Sequence, residues 1–304
     1  IFVKYASKLA HKLGVSEFVI GMTIVAIGTS LPELWTNIIA SIHQNSAITM
    51  GNIVGSNIAN IGLVLGIGAI LAPIVVKKDF IKNSWVLLGV SFLFVLISID
   101  KVISFAEGLL LFLCFFVYMY REFKKKTQII GKKNLEKYTK HVITKKEKII
   151  SEQGLVILLF LIVSLVGLYI GSNYLVDSTI TLARLLKISE GIIAITAVAI
   201  GTSLPELSVT ISSARKKLEG IMLGNIIGSN VVNILLVIGV SVLINPIAVS
   251  LFDIYFGLPV MLFITLIFMR FLRVSWVSRV LDGVLLLLVY ALFIIGLLVL
   301  APLL

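Results

Sequence analysis

The sequence predicts an all-α polytopic membrane protein built from two inverted repeats of five transmembrane helices. Three observations predict this fold. Of the 304 residues, 59% are hydrophobic and only 13% are charged, whereas about a quarter of the residues in a soluble domain are charged. Nine apolar stretches are long enough to cross a hydrocarbon core about 30 Å thick. One string of ten residues, VAIGTSLPEL, occurs at 25–34 and again at 198–207.

The nine apolar stretches are separated by connections that alternate in charge. They lie near 13–42, 48–76, 80–99, 103–120, 154–176, 188–213, 221–249, 251–269 and 280–301. Every second connection is rich in Lys and Arg, and the longest, 121–152, carries eleven of them against four Glu. Because Lys and Arg collect in cytoplasmic loops, we expect a multi-pass protein of the cell membrane with 121–152 as a basic cytoplasmic loop. This loop has neither the folded basic face nor the interleaved aromatic residues of nucleic-acid binders, so no nucleic-acid partner is expected.

The repeated string belongs to a longer repeat with a constant offset of 173 residues. GN at 51–52 recurs at 224–225, and GSN at 55–57 recurs at 228–230. Under this offset the stretch at 154–173 has no counterpart in the first half, so we expect a first helix to be absent from this chain. The predicted domains are a first repeat at 1–120 that lacks this helix, the basic loop at 121–152 and a second repeat at 153–304. An odd number of helices per half places the halves in opposite orientations, as in the inverted repeats of secondary transporters.

Two acidic residues, Glu33 and Glu206, stand inside apolar stretches near the end of the repeated string. A carboxylate near the bilayer centre costs roughly 2.5–3.5 kcal/mol, so such a residue indicates a functional site. The alternative is a protonated glutamate that bonds a neighbouring helix. Proline lacks an N–H and glycine weakens the helical turn, so each string is expected to break its helix. The predicted helix-break residues are Gly28, Pro32, Gly201 and Pro205. A break at membrane depth is tolerated where the freed backbone lines a polar cavity or meets a ligand.

Two motifs supply further oxygen atoms. In the first, Thr29 and Ser30 place hydroxyls beside the glutamate. In the second, GNIVGSNIAN at 51–60, Ser56 and Asn60 are four residues apart and share one helix face. The repeat duplicates these four residues as Thr202, Ser203, Ser229 and Asn233. The other amides of the second motif fit helix–helix hydrogen bonding and cavity lining equally well; they are Asn52, Asn57, Asn225 and Asn230.

The set contains only oxygen ligands, because it includes no Cys or His. Two formal charges among many oxygens suit Ca²⁺, which takes six to eight oxygen ligands, better than Zn²⁺ or Cu⁺. Na⁺ also suits hydroxyls and carbonyls. The one cysteine, Cys114, cannot form an internal disulfide, so redox chemistry is not expected. We therefore expect an ion carrier without a cofactor rather than an enzyme. A protease built on paired carboxylates would leave the duplicated hydroxyls and amides unexplained.

The paired strings VAIGTSLPEL, together with GNIVGSN and GNIIGSN, resemble the α1 and α2 repeats of the Ca²⁺/cation antiporter superfamily. The chain looks most similar to prokaryotic Na⁺/Ca²⁺ and Ca²⁺/H⁺ exchangers, and the resemblance covers its whole length. It implies a ten-helix fold with alternating access, in which the first and sixth helices slide against a core that holds the ions. It also implies that Glu33 and Glu206 are the central Ca²⁺ ligands. The implied further ligands are Thr29, Ser30, Ser56, Asn60, Thr202, Ser203, Ser229 and Asn233, with the carbonyls of Ala26 and Ala199.

One position departs from the family pattern. Na⁺/Ca²⁺ exchangers of this kind commonly carry an Asp where this chain has Asn233, so only Glu33 and Glu206 can titrate in the predicted site. Two buried glutamates close together are expected to hold protons when no metal is bound. Two protons would then replace one Ca²⁺ without net charge movement, which favours Ca²⁺/H⁺ exchange and makes these glutamates the proton-coupling groups. Na⁺/Ca²⁺ exchange is the alternative.

A cation channel is the more distant alternative. Channels also gather oxygen ligands at the midplane, but they usually form a ring from several subunits around a continuous path. Inverted halves with a carboxylate at each helix break favour a carrier. The expected partners are the lipid bilayer and the transported Ca²⁺, H⁺ or Na⁺. No feature of the sequence indicates an obligatory protein partner.

Overall fold

The computed structural model describes residues 1–124, 154–171, 174, 181, 201–274 and 280–300. Its helices are α1 Phe2–Leu13, α2 Glu17–Thr29, α3 Leu31–Ile42, α4 Ser46–Leu71, α5 Lys78–Ser98, α6 Phe105–Lys124, α7 Gly154–Gly171, α8 Leu204–Arg215, α9 Glu219–Ile244, α10 Asp253–Arg273 and α11 Val280–Leu300. Within this part of the chain, six helices are long and apolar enough to cross a membrane, or seven if the bent pair α2 and α3 forms one span. The all-α polytopic membrane fold is therefore confirmed.

Most predicted apolar stretches coincide with a helix or a helix pair. The stretch at 13–42 is the bent pair α2 and α3, and the stretch at 103–120 is most of α6. The stretch at 188–213 reaches the described residues only as 201–213, most of which is α8. The basic loop lies outside the described residues apart from its first four positions, 121–124, which end α6.

Helices α4 and α9 form the centre of the molecule. In the apolar 18-residue segment of each of these helices, 83% of the residues are buried, compared with 6% in α7 and 22% in α11. The outer helices expose large apolar side chains such as Phe92, Phe116, Leu158 and Leu292. An apolar exterior around a partly polar centre is what a hydrocarbon solvent requires.

Helix α9 packs very closely against α2. A Cβ atom built on Gly224 would lie 2.5 Å from the carbonyl oxygen of Phe18, and one built on Gly228 would lie 2.6 Å from that of Met22. Glycine at both positions permits this approach, as in other membrane helix pairs with small residues four apart. The close packing brings Asn225 and Ser229, which follow these glycines, to the carboxyl end of α2.

Each central helix contains a wider π-helical segment at the same place in the repeat. The segments are Asn60–Leu65 in α4 and Asn233–Ile238 in α9. π-Helical turns are rare and often occur at functional sites. Both begin at an asparagine that the sequence assigns to the site.

A short β-pairing joins the two halves at one end of the molecule. Strand β1, Val102–Ile103, follows α5, and strand β2, Ile247–Ala248, follows α9; they are antiparallel. The Ala248 N–H also donates a hydrogen bond of 3.0 Å to the hydroxyl of Ser46, at the start of α4. The sequence did not predict these strands. The connections after α3, α5 and α9 carry little or no positive charge, and their position at one end agrees with the alternating charge pattern.

Candidate functional site

Both repeated strings interrupt their helices at the serine. Helices α2 and α3 are bent by 43° across Ser30. The backbone of Ser30 has φ −83° and ψ 6°, and that of Ser203 has φ −84° and ψ 2°, between the helical and extended regions. Pro32 and Pro205 lie in the first turn of α3 and α8, where a missing N–H has no cost. The first string thus bends at Ser30, and Ser203 has the same backbone conformation; the residues before 201 lie outside the described part of the chain, so the roles of Gly28, Pro32, Gly201 and Pro205 stay a prediction.

The two glutamates lie together in the first turns of α3 and α8. Glu33 and Glu206 are fully buried, and they are close enough for their charges to interact. Neither carboxylate oxygen of Glu33 accepts a hydrogen bond from the described residues, nor does Oε2 of Glu206. The hydroxyl of Ser30 lies 3.5 Å from Oε1 of Glu206. Buried carboxylates with so few donors are stable only if they are protonated or meet a cation.

The threonine of each break contacts the central helix of the other half. The Thr29 hydroxyl lies 3.0 Å from Oδ1 of Asn225 and 3.3 Å from the hydroxyl of Ser229. The Thr202 hydroxyl lies 3.2 Å from Oδ1 of Asn52 and 3.1 Å from the hydroxyl of Ser56. Each residue in the first pair of contacts is separated by 173 residues from its counterpart in the second pair, so the two pairs are equivalent under the repeat. Reciprocal contacts of this kind relate two halves by an approximate two-fold axis.

The asparagines of the second motif depart from this symmetry. The amide of Asn233 donates to Oδ1 of Asn57 at 3.3 Å, and Oδ1 of Asn233 has no partner in the described part of the chain. Neither amide atom of Asn60 or Asn230 has a partner there. All four side chains are buried. The unpartnered oxygens of Asn60 and Asn233 are therefore available to a cation.

The backbone carbonyl of Ala26 is partly occupied. It accepts the N–H of Ser30 at 3.0 Å, and the Thr29 hydroxyl lies 3.3 Å away. A carbonyl oxygen has two lone pairs, so one position is left for an ion when the single hydrogen of the Thr29 hydroxyl points to Oδ1 of Asn225, its shorter contact at 3.0 Å. The equivalent carbonyl, that of Ala199, lies outside the described residues. The hydroxyl of Ser203 is buried and has no partner among the described residues.

Sequence reasoning missed one polar residue in each half. Asn37 and Thr210 lie one helical turn after the glutamates and are fully buried. Oδ1 of Asn37 accepts the amide of Asn52 at 2.7 Å. A polar residue four positions after Glu33 and again after Glu206 is a signal that could have found both.

Two other acidic side chains are buried away from this site. Asp253 accepts the N–H and the hydroxyl of Ser250 at 3.2 and 2.6 Å, and so caps its own helix. Glu122 lies beside Arg121 at the end of α6, with 3.9 Å between Oε1 and Nε. Across the described ranges, no group of three or more His, Cys, Asp or Glu could hold a metal ion. The pair Glu33 and Glu206 thus depends on neutral oxygens to complete any cation site.

Comparison with known proteins identifies the family. The profile of the family described as sodium/calcium exchanger protein matches residues 1–124 and 156–299. The chain is 38% identical to the sodium/calcium exchanger MaX1 of Methanosarcina acetivorans, over 97% of this chain and 92% of that protein. It is 35% identical to the inner membrane protein YrbG of Escherichia coli, over 79% and 74% of the two chains. A solved structure of the sodium-calcium exchanger NCX_Mj aligns with a TM-score of 0.83 and 33% identity, over 97% and 92%. The resemblance to Ca²⁺/cation antiporters is confirmed, and the chain belongs to the sodium/calcium exchanger family.

Proposed function

We propose that this protein, a cation antiporter of the membrane by its family, exchanges Ca²⁺ for protons at the two helix breaks. The observation that carries the proposal is the buried pair Glu33 and Glu206: of their four carboxylate oxygens, only Oε1 of Glu206 has a donor in the described part of the chain, the Ser30 hydroxyl at 3.5 Å. Asn occupies both second-motif positions, Asn60 and Asn233, so these glutamates are the two groups at the site that can exchange protons. A divalent ion and two protons neutralise them equally.

The proposed Ca²⁺ site consists of oxygen atoms from both halves. Glu33 and Glu206 supply its charge, and neutral oxygens complete six to eight ligands. The proposed neutral ligands are the hydroxyls of Thr29, Ser30, Ser56, Thr202, Ser203 and Ser229, the amides of Asn60 and Asn233, and the carbonyls of Ala26 and Ala199. The contacts of Thr29 with α9 and of Thr202 with α4 support this arrangement, since they bring both breaks to one place.

The exchange cycle follows from charge balance. When Ca²⁺ leaves, two adjacent buried carboxylates cannot both remain charged. In the proposed cycle each takes a proton, which balances the two charges of the departing ion, and arriving Ca²⁺ displaces both protons. By the resemblance, the first and sixth helices slide to open the site to alternate sides. In a ten-helix numbering the sixth helix is α7, in which only 6% of the residues of the apolar 18-residue segment are buried.

Sodium coupling is the second candidate. The relatives MaX1 and NCX_Mj are named as sodium/calcium exchangers, which favours Na⁺ as the counter-ion. In that case hydroxyl, amide and carbonyl oxygens around the glutamates would hold Na⁺ without a third acid.

The test is Ca²⁺ flux into liposomes that contain the full-length protein, with the membrane potential clamped. Flux driven by a pH gradient in the absence of sodium would support proton exchange. Flux driven by a Na⁺ gradient alone would overturn it in favour of sodium coupling. Ca²⁺ entry without either gradient would indicate a channel.

We predict that Asn233→Asp increases the dependence of Ca²⁺ exchange on Na⁺. A third acid gives the site another negative charge, which favours additional monovalent cations over a proton pair. The measurement compares Na⁺-driven and pH-driven Ca²⁺ flux in the variant and the wild type. Asn60→Asp is the companion variant: it adds the same charge at the repeat-related position and so separates an effect of charge alone from an effect of position 233. An unchanged ratio of the two fluxes in Asn233→Asp would show that selectivity lies elsewhere.

We also propose that 1–120 and 153–304 are inverted repeats and that the basic loop 121–152 is cytoplasmic. In a Cys114→Ser background, Tyr138→Cys should react with a membrane-impermeant maleimide only after the cells are opened. His43→Cys, in a connection without Lys or Arg, is the control that should react in intact cells. The reverse pattern would contradict this orientation.

A further inference from the structure

Two buried asparagines contact the threonines of the breaks from outside the proposed ligand set. Asn52 and Asn225 occupy equivalent positions in α4 and α9, one turn before the site serines. Oδ1 of Asn52 lies 3.2 Å from the Thr202 hydroxyl, and Oδ1 of Asn225 lies 3.0 Å from that of Thr29. The sequence left their role open between helix packing and cavity lining, and these contacts suggest a third role.

The chemistry of a hydroxyl ligand defines that role. A hydroxyl has one hydrogen and two lone pairs, and it binds a cation through a lone pair. Its hydrogen must therefore point to an acceptor elsewhere. For Thr29 the shortest such contact is Asn225 Oδ1 at 3.0 Å; the Ala26 carbonyl lies at 3.3 Å. For Thr202 the Ser56 hydroxyl at 3.1 Å and Oδ1 of Asn52 at 3.2 Å are both in reach. The serine can donate or accept, whereas an amide oxygen can only accept, so the amide oxygen fixes the direction of the hydrogen.

Asn52 is itself held in one orientation. Its amide nitrogen donates to Oδ1 of Asn37 at 2.7 Å, which leaves Oδ1 of Asn52 facing Thr202. In the second half Thr210 takes the position of Asn37. Neither the Thr210 hydroxyl nor Nδ2 of Asn225 has a partner among the described residues. The chain of hydrogen bonds is thus complete on the Thr202 side and incomplete on the Thr29 side.

We propose that Asn52 and Asn225 are positioning residues, which take the hydroxyl hydrogens of Thr202 and Thr29 so that both oxygens present lone pairs to the transported ion. Asn37 fixes Asn52 and makes the Thr202 side the more rigid one. This inference rests on the proposed function, because it treats the threonines as ligands.

The test is a double-mutant cycle between Asn52→Leu and Thr202→Val. Leucine keeps the approximate size of asparagine and removes its oxygen, and valine keeps the shape of threonine and removes its hydroxyl. Each single change is expected to raise the half-saturating Ca²⁺ concentration roughly three- to tenfold, the usual range for one hydrogen bond. The half-saturating Ca²⁺ concentration of the double variant should be no higher than that of the single variant with the larger effect. The reason is that Asn52 acts through the hydroxyl that Thr202→Val removes.

A cross pair provides the control. Asn52 contacts Thr202 and not Thr29. When Asn52→Leu is combined with Thr29→Val, the fold-increase in half-saturating Ca²⁺ should therefore equal the product of the two single fold-increases. The same product for Asn52→Leu with Thr202→Val would overturn the proposal and leave Asn52 a helix-packing residue. No effect of Asn52→Leu on half-saturation would also overturn it.

A second variant keeps the proposal testable if Asn52→Leu does not fold. Asn37→Ala leaves Asn52 in place and removes its anchor. It should produce a smaller rise in half-saturating Ca²⁺ that disappears when Thr202→Val is also present; a rise that persists would contradict the proposal. Failure of the proposed function itself would appear differently, in the wild-type protein: flux driven by a Na⁺ gradient alone would overturn proton coupling, and no flux with either gradient would overturn Ca²⁺ exchange.

Discussion

Replacing Glu33 or Glu206 with glutamine is expected to abolish Ca²⁺ exchange. Glutamine keeps the size of the side chain and removes one of the two formal charges at the proposed site. Both residues are fully buried, so the remaining charge cannot be compensated by water. Removing one partner from a buried ionic interaction costs about 3–5 kcal/mol, which exceeds a hundredfold in Ca²⁺ affinity.

The measurement is Ca²⁺ uptake into liposomes for each variant beside Glu122→Gln. Glu122 is also fully buried but lies at the end of α6 next to Arg121, so it controls for the general effect of losing a buried charge. Exchange should persist in Glu122→Gln and be absent from both site variants. Near-normal uptake by Glu33→Gln or Glu206→Gln would remove that residue from the site.

Acid pH is expected to weaken Ca²⁺ binding steeply, with two protons competing for each ion. Protonated carboxylates cannot bind Ca²⁺, so binding must release whatever protons Glu33 and Glu206 hold. Where both glutamates are protonated, the apparent dissociation constant should rise by up to about a hundredfold for each unit that the pH falls, since two protons are released together. Above the pH at which both have lost their protons, the dependence should disappear.

Calorimetric titration of the purified protein with Ca²⁺ at several pH values measures the apparent dissociation constant directly. Repeating it in buffers with different heats of ionisation counts the protons released per ion. Two protons would fit the exchange of one Ca²⁺ for a protonated pair. A count of zero at every pH would show that the glutamates stay charged without metal, and proton coupling through them would be excluded.

Much of the fold could be predicted from local sequence because the bilayer imposes simple demands. Hydrocarbon requires long apolar helices whose backbone groups bond internally, so α4, α5, α7, α9, α10 and α11 appear as apolar runs. The breaks could be predicted as well, since Pro32 and Pro205 lack an N–H in any environment. Alternation of charge indicated which connections share an end, and the contacts of β1 with β2 and of Ala248 with Ser46 agree with it.

The polar contacts of the site could be predicted only in part. Repetition of a glutamate inside apolar sequence predicts Glu33 and Glu206 as site residues, because a carboxylate at membrane depth is costly. Asn37 and Thr210 were missed since a single polar residue in a transmembrane helix often bonds its own backbone. The β1 and β2 strands were missed because two residues are too few to give a pattern.

The sequence by itself determined the membrane class, the repeat, the two breaks and the oxygen character of the predicted site. Each depends on residue type and on spacing within one segment. The tertiary structure alone decided that Thr29 bonds Asn225 and Thr202 bonds Asn52, and that Asn233 bonds Asn57 while Asn60 stays unpartnered among the described residues. A repeat relates equivalent positions but carries no information on which of them meet. The positions that meet are set by the close packing of α9 on α2, where glycines let two helices from different halves approach.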